Sequence, residues 1–316
     1  MIWAGLFHLS FNFSSKYNRE YYAFEAVDDR RPKKGEIEFD EDLWNEILEK
    51  MVSAGMTMLV LSVDDGVQYR SHPEIAAKNA WPIGKLKAKL AKARKLGLEV
   101  VPQLNFSTRH DAWLGEYSQC VSTDAYYAVC RDLIAEVIDI FEKPRFFHLG
   151  MDEEAPEYQR NFQYVVVRQH DLWWHDLYFY IDCVTGDGCR PWVWSDEVWR
   201  HPEEFLKKMP KSVIQSNWYY KPNFDQENRG ERDLTIINSY CLLEEHGYDQ
   251  IPTGSNIRAC ENFGMLVDYC SRHIDRQRLV GFLQCSWKPM LATSRERHID
   301  AIEQVGRVIT KFNPPS

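Results

Sequence analysis

Short apolar runs alternate with segments of helical periodicity along the whole chain. In the clearest helical segment Leu133, Val137 and Phe141 recur every four residues, so they line one face of a helix. Gly55 and Gly97 follow the first two helical segments, where a left-handed glycine commonly ends a helix. Such alternation of strand-like and helical segments is typical of a parallel α/β fold.

The pattern predicts eight strands with helices between them. The strands are expected at residues 2–9, 57–63, 99–105, 146–151, 192–195, 213–218, 235–240 and 281–287. The clearest helices are expected at 41–54, 83–96, 123–143, 158–182, 258–273 and 294–311, with a polar loop at 221–233. A single-domain (β/α)8 TIM barrel over residues 1–316 is therefore favoured, since such a barrel takes roughly 250 residues. A doubly wound open sheet is disfavoured because no glycine-rich phosphate loop follows the first strand.

Charge and composition exclude several partners. The 47 acidic against 38 basic residues argue against nucleic acid, whose phosphates need a basic face. The apolar runs are too short for a membrane span. The chain starts in a strand-like run without a signal-peptide pattern, so a cytoplasmic location is expected. The pattern does not predict an oligomeric state.

Cysteine and histidine spacing gives no sign of a metal or cofactor. The eight cysteines include no CxxC motif, and no HxH ligand pair ends a strand. We therefore expect no metal and no cofactor. Cys183 and Cys189, on either side of a glycine-containing loop, are the only attractive disulfide pair.

Carboxylates and large aromatic residues collect at the predicted carboxyl ends of the strands, where barrel active sites lie. These strand-end residues are Asp64, Asp65, His110, Asp152, Glu153, Trp194, Trp218, Tyr240 and Trp287. Carboxylates transfer protons to glycosidic oxygens, and aromatic faces stack on sugar rings. A carbohydrate substrate is therefore predicted, although any single tryptophan is equally explained by packing.

Three segments of the chain resemble motifs of glycoside hydrolase family 20, the β-N-acetylhexosaminidases. Residues 148–153, His-Leu-Gly-Met-Asp-Glu, are similar to the family's His-x-Gly-Gly-Asp-Glu signature. Residues 63–70 are similar to its Asp-Asp-Gln-x-Trp-Arg segment, and 100–110 to its Ile-Pro-Glu-Ile-Asp-x-Pro-Gly-His stretch. Three features depart from the family: residues 7–11 lack its strand-1 arginine, and Leu242 and Pro289 stand where it usually has acids. The family's small α/β domain before the barrel is also missing. These departures touch sugar recognition more than proton chemistry.

The resemblance implies substrate-assisted hydrolysis, in which the sugar's 2-acetamido oxygen attacks C1. Asp152 would orient the acetamido group, Tyr240 would hold its oxygen, and Glu153, with a raised pKa, would serve as general acid and base. His110, backed by Asp64 or Asp65, would tune Glu153. The expected substrate-binding residues are Asp64, Asp65, Trp194, Trp218 and Trp287, the three tryptophans forming the walls of a shallow pocket.

Because Asp152 and Glu153 are neighbours, an ideal strand would point them to opposite faces. The backbone is therefore expected to bend near Met151. Glu154 is expected to be an ordinary loop residue, and His148 a packed interior histidine.

Two other functions remain open at this stage. One is a non-catalytic sugar-binding barrel. The other is a two-carboxylate retaining glycosidase, with Glu153 as acid and Glu244 or Glu245, in a loop, as nucleophile. A metal-dependent hydrolase is less favoured.

Overall fold

The computed structural model describes residues 1–12, 35–159, 162, 165–224, 227, 229–258 and 261–312. Eight parallel strands form one sheet: β1 Ile2–His8, β2 Met58–Ser62, β3 Glu99–Gln103, β4 Phe146–His148, β5 Arg190–Trp194, β6 Ile214–Ser216, β7 Thr253–Ser255 and β8 Gly281–Cys285. From β1 to β6 each strand pairs with the next one in the chain, β7 pairs with β8, and β8 pairs with β1. The bridges Gln215–Gln250 and Trp218–Thr253 join β6 to the β7 side and close the ring. The predicted (β/α)8 barrel is confirmed.

Helices follow the strands on the outside of the barrel. They are α1 Glu41–Ser53, α2 Ile83–Lys95, α3 Asp124–Ile140, α4 Asp171–Gly186, α5 Glu197–Arg200, α6 Pro202–Lys208, α7 Glu231–Glu245, α8 Asn262–His273 and α9 Arg295–Phe312. The helix predicted at 158–182 begins only at Asp171, after a short 3-10 turn at Pro156–Tyr158. Residues 160–161 and 163–164 of that prediction, and 259–260 of the next, lie outside the described residues. Among the described helices, none is both long and apolar enough to cross a bilayer.

Helix α1 shows why these segments fold as they do. The Asp40 side chain accepts hydrogen bonds from the first-turn backbone N–H groups of Asp42 and Leu43, which the helix itself leaves unpaired. The apolar face of α1 is buried, and Gly55 follows the helix at a φ of +82°. That conformation costs glycine little, so the chain turns there into β2.

The seventh strand was predicted in the wrong place. Residues 235–240 lie inside α7, and the seventh strand is the short β7, after Pro252. The run Thr-Ile-Ile-Asn-Ser-Tyr is rich in strand-forming residues. However, Ile236, Tyr240 and Leu243 recur at helical spacing and are buried together. Packing of that face against the barrel therefore overrides the local β propensity.

The core has two layers, which the alternation along β1 makes clear. Ala4 and Leu6 belong to an apolar cluster inside the barrel, whereas Trp3 and Phe7 belong to the layer between sheet and helices. Trp194 completes the interior cluster near the carboxyl end of the barrel. Cys183 and Cys189 are both free thiols, so the suggested disulfide is not formed.

Candidate active site

The chain turns sharply where β4 ends. Gly150, Met151 and Glu153 have φ angles of 73°, 73° and 55°, in the left-handed region. A Cβ on Gly150 would lie 2.0 Å from Asn105 Oδ1, so only glycine fits. Left-handed non-glycine residues cost free energy and persist where the surrounding structure holds them, often at functional sites. The predicted bend near Met151 is confirmed.

Three side chains hold this bend. Asn105 Nδ2 donates to Asp152 Oδ1 at 2.8 Å, and the Ser107 hydroxyl donates to the Asp152 carbonyl oxygen. Asp196, at the end of β5, accepts from the Glu153 backbone N–H at 2.8 Å. Residues in the loops after β3 and β5 therefore fix the positions of Asp152 and Glu153.

The bend brings both carboxyl groups to one histidine. His110 Nε2 lies 3.3 Å from Asp152 Oδ2 and 3.6 Å from Glu153 Oε2. Burial acts to lower the pKa of His110, but the Asp152 carboxylate and hydrogen bonds to both acids outweigh it and raise the pKa to about 9. His110 is therefore an imidazolium at neutral pH.

Arg109 makes the closest charged contact to Glu153. Its Nε lies 2.5 Å from Glu153 Oε2, and only 7% of the arginine side chain is exposed. Burial acts to raise the pKa of Glu153, but the His110 hydrogen bond and the Arg109 charge together lower it to about 2. The expectation of a raised pKa for Glu153 is therefore wrong, because His110 and Arg109 both contact its carboxylate.

Asp64 and Asp65 lie in a 3-10 turn directly after β2. Burial raises the pKa of Asp64 to about 8, and the charges of Asp64 and His110 interact. Asp65 accepts hydrogen bonds from the Ser10 hydroxyl and, at 2.6 Å, from Asn12 Nδ2. Asp65 thus holds the segment after β1 in place, whereas the charge of Asp64 interacts with that of His110.

The three predicted pocket tryptophans meet above the interior cluster. The Trp194 ring centroid lies 5.7 Å from that of Trp218 and 5.9 Å from that of Trp287. Trp194 belongs to the interior cluster, and Trp218 and Trp287 pack against it. All three therefore contact the interior cluster of the barrel, and Trp218 also packs against Trp199 of α5, with ring centroids 4.6 Å apart.

Tyr240 does not reach this site. It is fully buried in α7, packs near Phe224 and Tyr269, and donates to the Asn217 backbone oxygen at 3.4 Å. Its predicted contact with an acetamido group is contradicted, because that prediction depended on the incorrect seventh strand.

Another tyrosine lies near the acids instead. The Tyr220 ring is 6.4 Å from Trp287, and the charges of Asp152 and Glu153 both act on its hydroxyl. Burial, together with the neighbouring charges, raises the pKa of Tyr220 well above its usual value, so it stays a neutral hydrogen-bond donor.

Two buried acids were not recognised from the sequence. Glu154, expected to be an ordinary loop residue, accepts from Arg168 Nε at 2.7 Å and from the Thr108 backbone N–H at 3.1 Å. It thus joins the loop after β4 to the loop that carries Arg109. Burial raises the pKa of Asp196 to about 7. Neither acid stands in a sequence pattern that marks it as buried.

His148 is the packed interior histidine expected from the sequence. Its ring lies 4.9 Å from Trp192 and 4.4 Å from Trp194, and its Nδ1 accepts from the Gly150 backbone N–H.

No protein-family model and no curated protein matches the chain. Solved structures do share its fold. A Streptomyces plicatus N-acetyl-β-hexosaminidase is 12% identical with a TM-score of 0.58, over 96% of this chain and 63% of that one. A family 20 exo β-N-acetylglucosaminidase from Vibrio harveyi is 10% identical with a TM-score of 0.60, over 96% and 54%. Dispersin B is 14% identical with a TM-score of 0.55, over 85% and 95%.

The chain thus spans under two thirds of the Streptomyces protein's length. The resemblance to family 20 expected from the motifs is confirmed for the fold, which is what likeness at these identities shows.

Proposed function

We propose that the protein is a glycoside hydrolase that removes a terminal N-acetylhexosamine, with a single catalytic barrel domain. The observation that carries this proposal is the bend after β4, which turns the adjacent Asp152 and Glu153 toward one histidine. The structural likeness to N-acetylhexosaminidases supports the same reaction class.

In the proposed reaction the acetamido oxygen of the sugar attacks C1 while the C1–oxygen bond to the leaving group breaks. Asp152 accepts the amide N–H and offsets the positive charge of the oxazolinium. Protonated Glu153 donates its proton to the leaving oxygen, which departs as an alcohol. Water then adds to C1 and gives its proton to Glu153, so that the acetamido group is restored.

Tyr220 replaces Tyr240 as the proposed donor to the acetamido oxygen. It lies beside Trp287 within range of the Asp152 and Glu153 charges, and it remains protonated. A neutral phenol can position this oxygen through one lone pair, and it withdraws less electron density from the attacking oxygen than a cationic donor would.

The two-carboxylate mechanism is disfavoured by the position of its candidate nucleophiles, Glu244 and Glu245. Glu244 and Glu245 end α7, which runs back toward the start of β7 at the amino-terminal end of the barrel. Neither acid therefore meets Glu153 across a glycosidic bond, which requires about 5 Å between carboxyl groups.

A metal-dependent reaction is also disfavoured by the charges present. The donor atoms of His110, Asp152 and Glu153 lie within 4.8 Å of one another, a spacing that suits a cation. However, the Arg109 guanidinium already lies against Glu153. A divalent ion would have to displace this positive charge.

The test is turnover of 4-nitrophenyl N-acetyl-β-glucosaminide and its galacto epimer, with the 4-nitrophenyl β-glucoside as control. We expect hydrolysis of at least one acetamido sugar and none of the glucoside. Glu153→Gln should lower the activity on these substrates, but by less than on a natural disaccharide, because 4-nitrophenol needs little protonation to leave. Binding of acetamido sugars without any turnover would instead support the non-catalytic sugar-binding barrel. Equal turnover of the glucoside would refute substrate assistance.

A further inference from the structure

Two arginines flank one tyrosine at the edge of the candidate site. The guanidinium carbons of Arg109 and Arg232 lie 5.1 Å and 5.9 Å from the Tyr158 ring centroid. Arg232 also donates to the Tyr158 hydroxyl at 2.6 Å. Arg109, Tyr158 and Arg232 are called the arginine stack below.

The arginine stack adjoins Glu153 and carries two positive charges, of which one pairs with that carboxylate. Arg109 contacts Glu153 directly, and the Glu153 charge acts on Tyr158. Arg232 is exposed, and its contacts within the described part of the chain are with Tyr158 rather than with a carboxylate. A concentration of arginines beside the acids is notable in a protein whose net charge is −9.

We propose that the arginine stack binds an anionic group of the substrate, a sulfate, phosphate or carboxylate, and that this binding releases Glu153 from Arg109. The proposal rests on the hydrolase function given above and deepens it by naming a substrate class. A guanidinium offers paired N–H donors in a plane, which match the oxygens of such groups.

Replacement of Glu153 by a substrate anion as the partner of Arg109 should affect catalysis. His110 and Arg109 together keep Glu153 ionised, which suits a base but not the acid that must protonate the leaving oxygen. When a substrate anion takes over the Arg109 guanidinium, one of these two cations is withdrawn from Glu153, so the pKa of Glu153 rises. A neutral substrate leaves the ion pair in place and is expected to react more slowly.

The test compares matched neutral and anionic substrates, because the anion can belong to either side of the scissile bond. One pair is 4-nitrophenyl N-acetyl-β-glucosaminide and its 6-sulfate. The other is the glycoside of 4-hydroxy-3-nitrobenzoate and its methyl ester. We expect the wild type to prefer the anionic member of one pair by about tenfold or more in kcat/KM, the usual size of a charge-assisted contact. The pair that shows the preference identifies the source of the anion.

Variants connect the preference to the stack. Arg232→Gln and Arg109→Gln should each lower the anionic-to-neutral ratio of kcat/KM by about tenfold. Arg232 is exposed, so its removal leaves the fold intact. Arg272→Gln, which removes an exposed arginine near the end of α8, should leave the ratio unchanged. A wild type with no preference in either pair, or a preference that survives both stack variants, overturns the proposal.

Calorimetric binding separates this proposal from the hydrolase function. In Glu153→Gln, which frees Arg109, the 6-sulfate or the carboxylate glycoside should bind about tenfold tighter than to wild type, and the neutral sugar should not. Adding Arg109→Gln should abolish the gain. If no substrate is turned over but this pattern holds, the hydrolase function fails and the anion site stands. If the neutral sugar is turned over and anions bind no better in any variant, the anion site alone is refuted.

Discussion

Replacing Asp196 with asparagine should make the fold less sensitive to rising pH. Asp196 Oδ2 accepts from the Glu153 N–H at 2.8 Å and from Arg200 at 3.1 Å, and its side chain is completely buried. The charged groups that face it are Arg200, Asp152 and Glu153. Burial dominates and raises the pKa of Asp196 to about 7, so the folded protein retains a proton there that the unfolded chain has lost.

The size of the effect follows from the two pKa values. The ordinary value is 3.8 and the folded value is about 7. A group whose folded pKa is raised in this way stabilises the fold less and less as the pH rises between the two values. Between about pH 5 and about pH 8 the wild type should lose about 3 kcal/mol of its free energy of unfolding through this group. An asparagine accepts the same N–H but does not ionise, so it should lose none.

Urea unfolding at about pH 5 and about pH 8 measures the difference between Asp196→Asn and wild type. Other titrating groups, such as Asp64, contribute to both proteins and cancel. Asp268→Asn, an exposed replacement on α8, is the matched control and should follow the wild type. Parallel stability curves for Asp196→Asn and wild type would show that Asp196 is ionised in the folded protein and that burial does not raise its pKa.

Three further predictions concern the site. Glu153→Gln should lower turnover of a natural disaccharide by at least about 10²-fold in steady-state rates, and by less for acidic phenol leaving groups, which need little protonation. Near-normal turnover of the disaccharide would show that Glu153 is not the general acid. Asp152→Asn should lower kcat by about 10²-fold with a modest change in KM, because the charge opposite the oxazolinium is lost. A rise in KM of about the same factor as the fall in kcat would contradict a role of Asp152 in the transition state. Arg168→Met should lower the free energy of unfolding, measured with urea, by about 3–5 kcal/mol, because it leaves Glu154 buried without its partner. Arg168→Lys keeps a positive charge and, as the control, should lower it less. An unchanged urea midpoint in Arg168→Met would contradict the stabilising role of this ion pair.

The sequence was sufficient for the parts of the site that depend on the chain near one strand end. Gly150 and the pair Asp152 and Glu153 stand together in a short motif, and adjacency alone required a bend if both acids were to share a pocket. The sequence also predicted that Trp194, Trp218 and Trp287 come together at the carboxyl end of the barrel, because each stands at or just after the end of a strand. That they form the walls of a substrate pocket stays a prediction.

The wrong predictions, of the seventh strand and of the pKa of Glu153, have two different physical causes. The run at 235–240 has strand propensity, but its buried face has helical spacing, and the competing signal in β7 is a three-residue strand containing Gly254. The charge state of Glu153 depends on Arg109, whose side chain reaches it from a different loop. Such contacts between loops are tertiary, so no local pattern shows that a carboxylate will be neutralised or, as with Asp196, buried.

In the proposed reaction the acetamido oxygen of the substrate is the nucleophile, and Asp152 and Glu153 assist its attack. A series of 4-nitrophenyl glycosides whose N-acetyl group carries none, one, two or three fluorine atoms tests this step. Fluorine withdraws electrons from the amide oxygen, so kcat should fall steeply with each added fluorine. A kcat that stays constant across the series would show that the amide oxygen does not attack C1, and substrate assistance would be excluded.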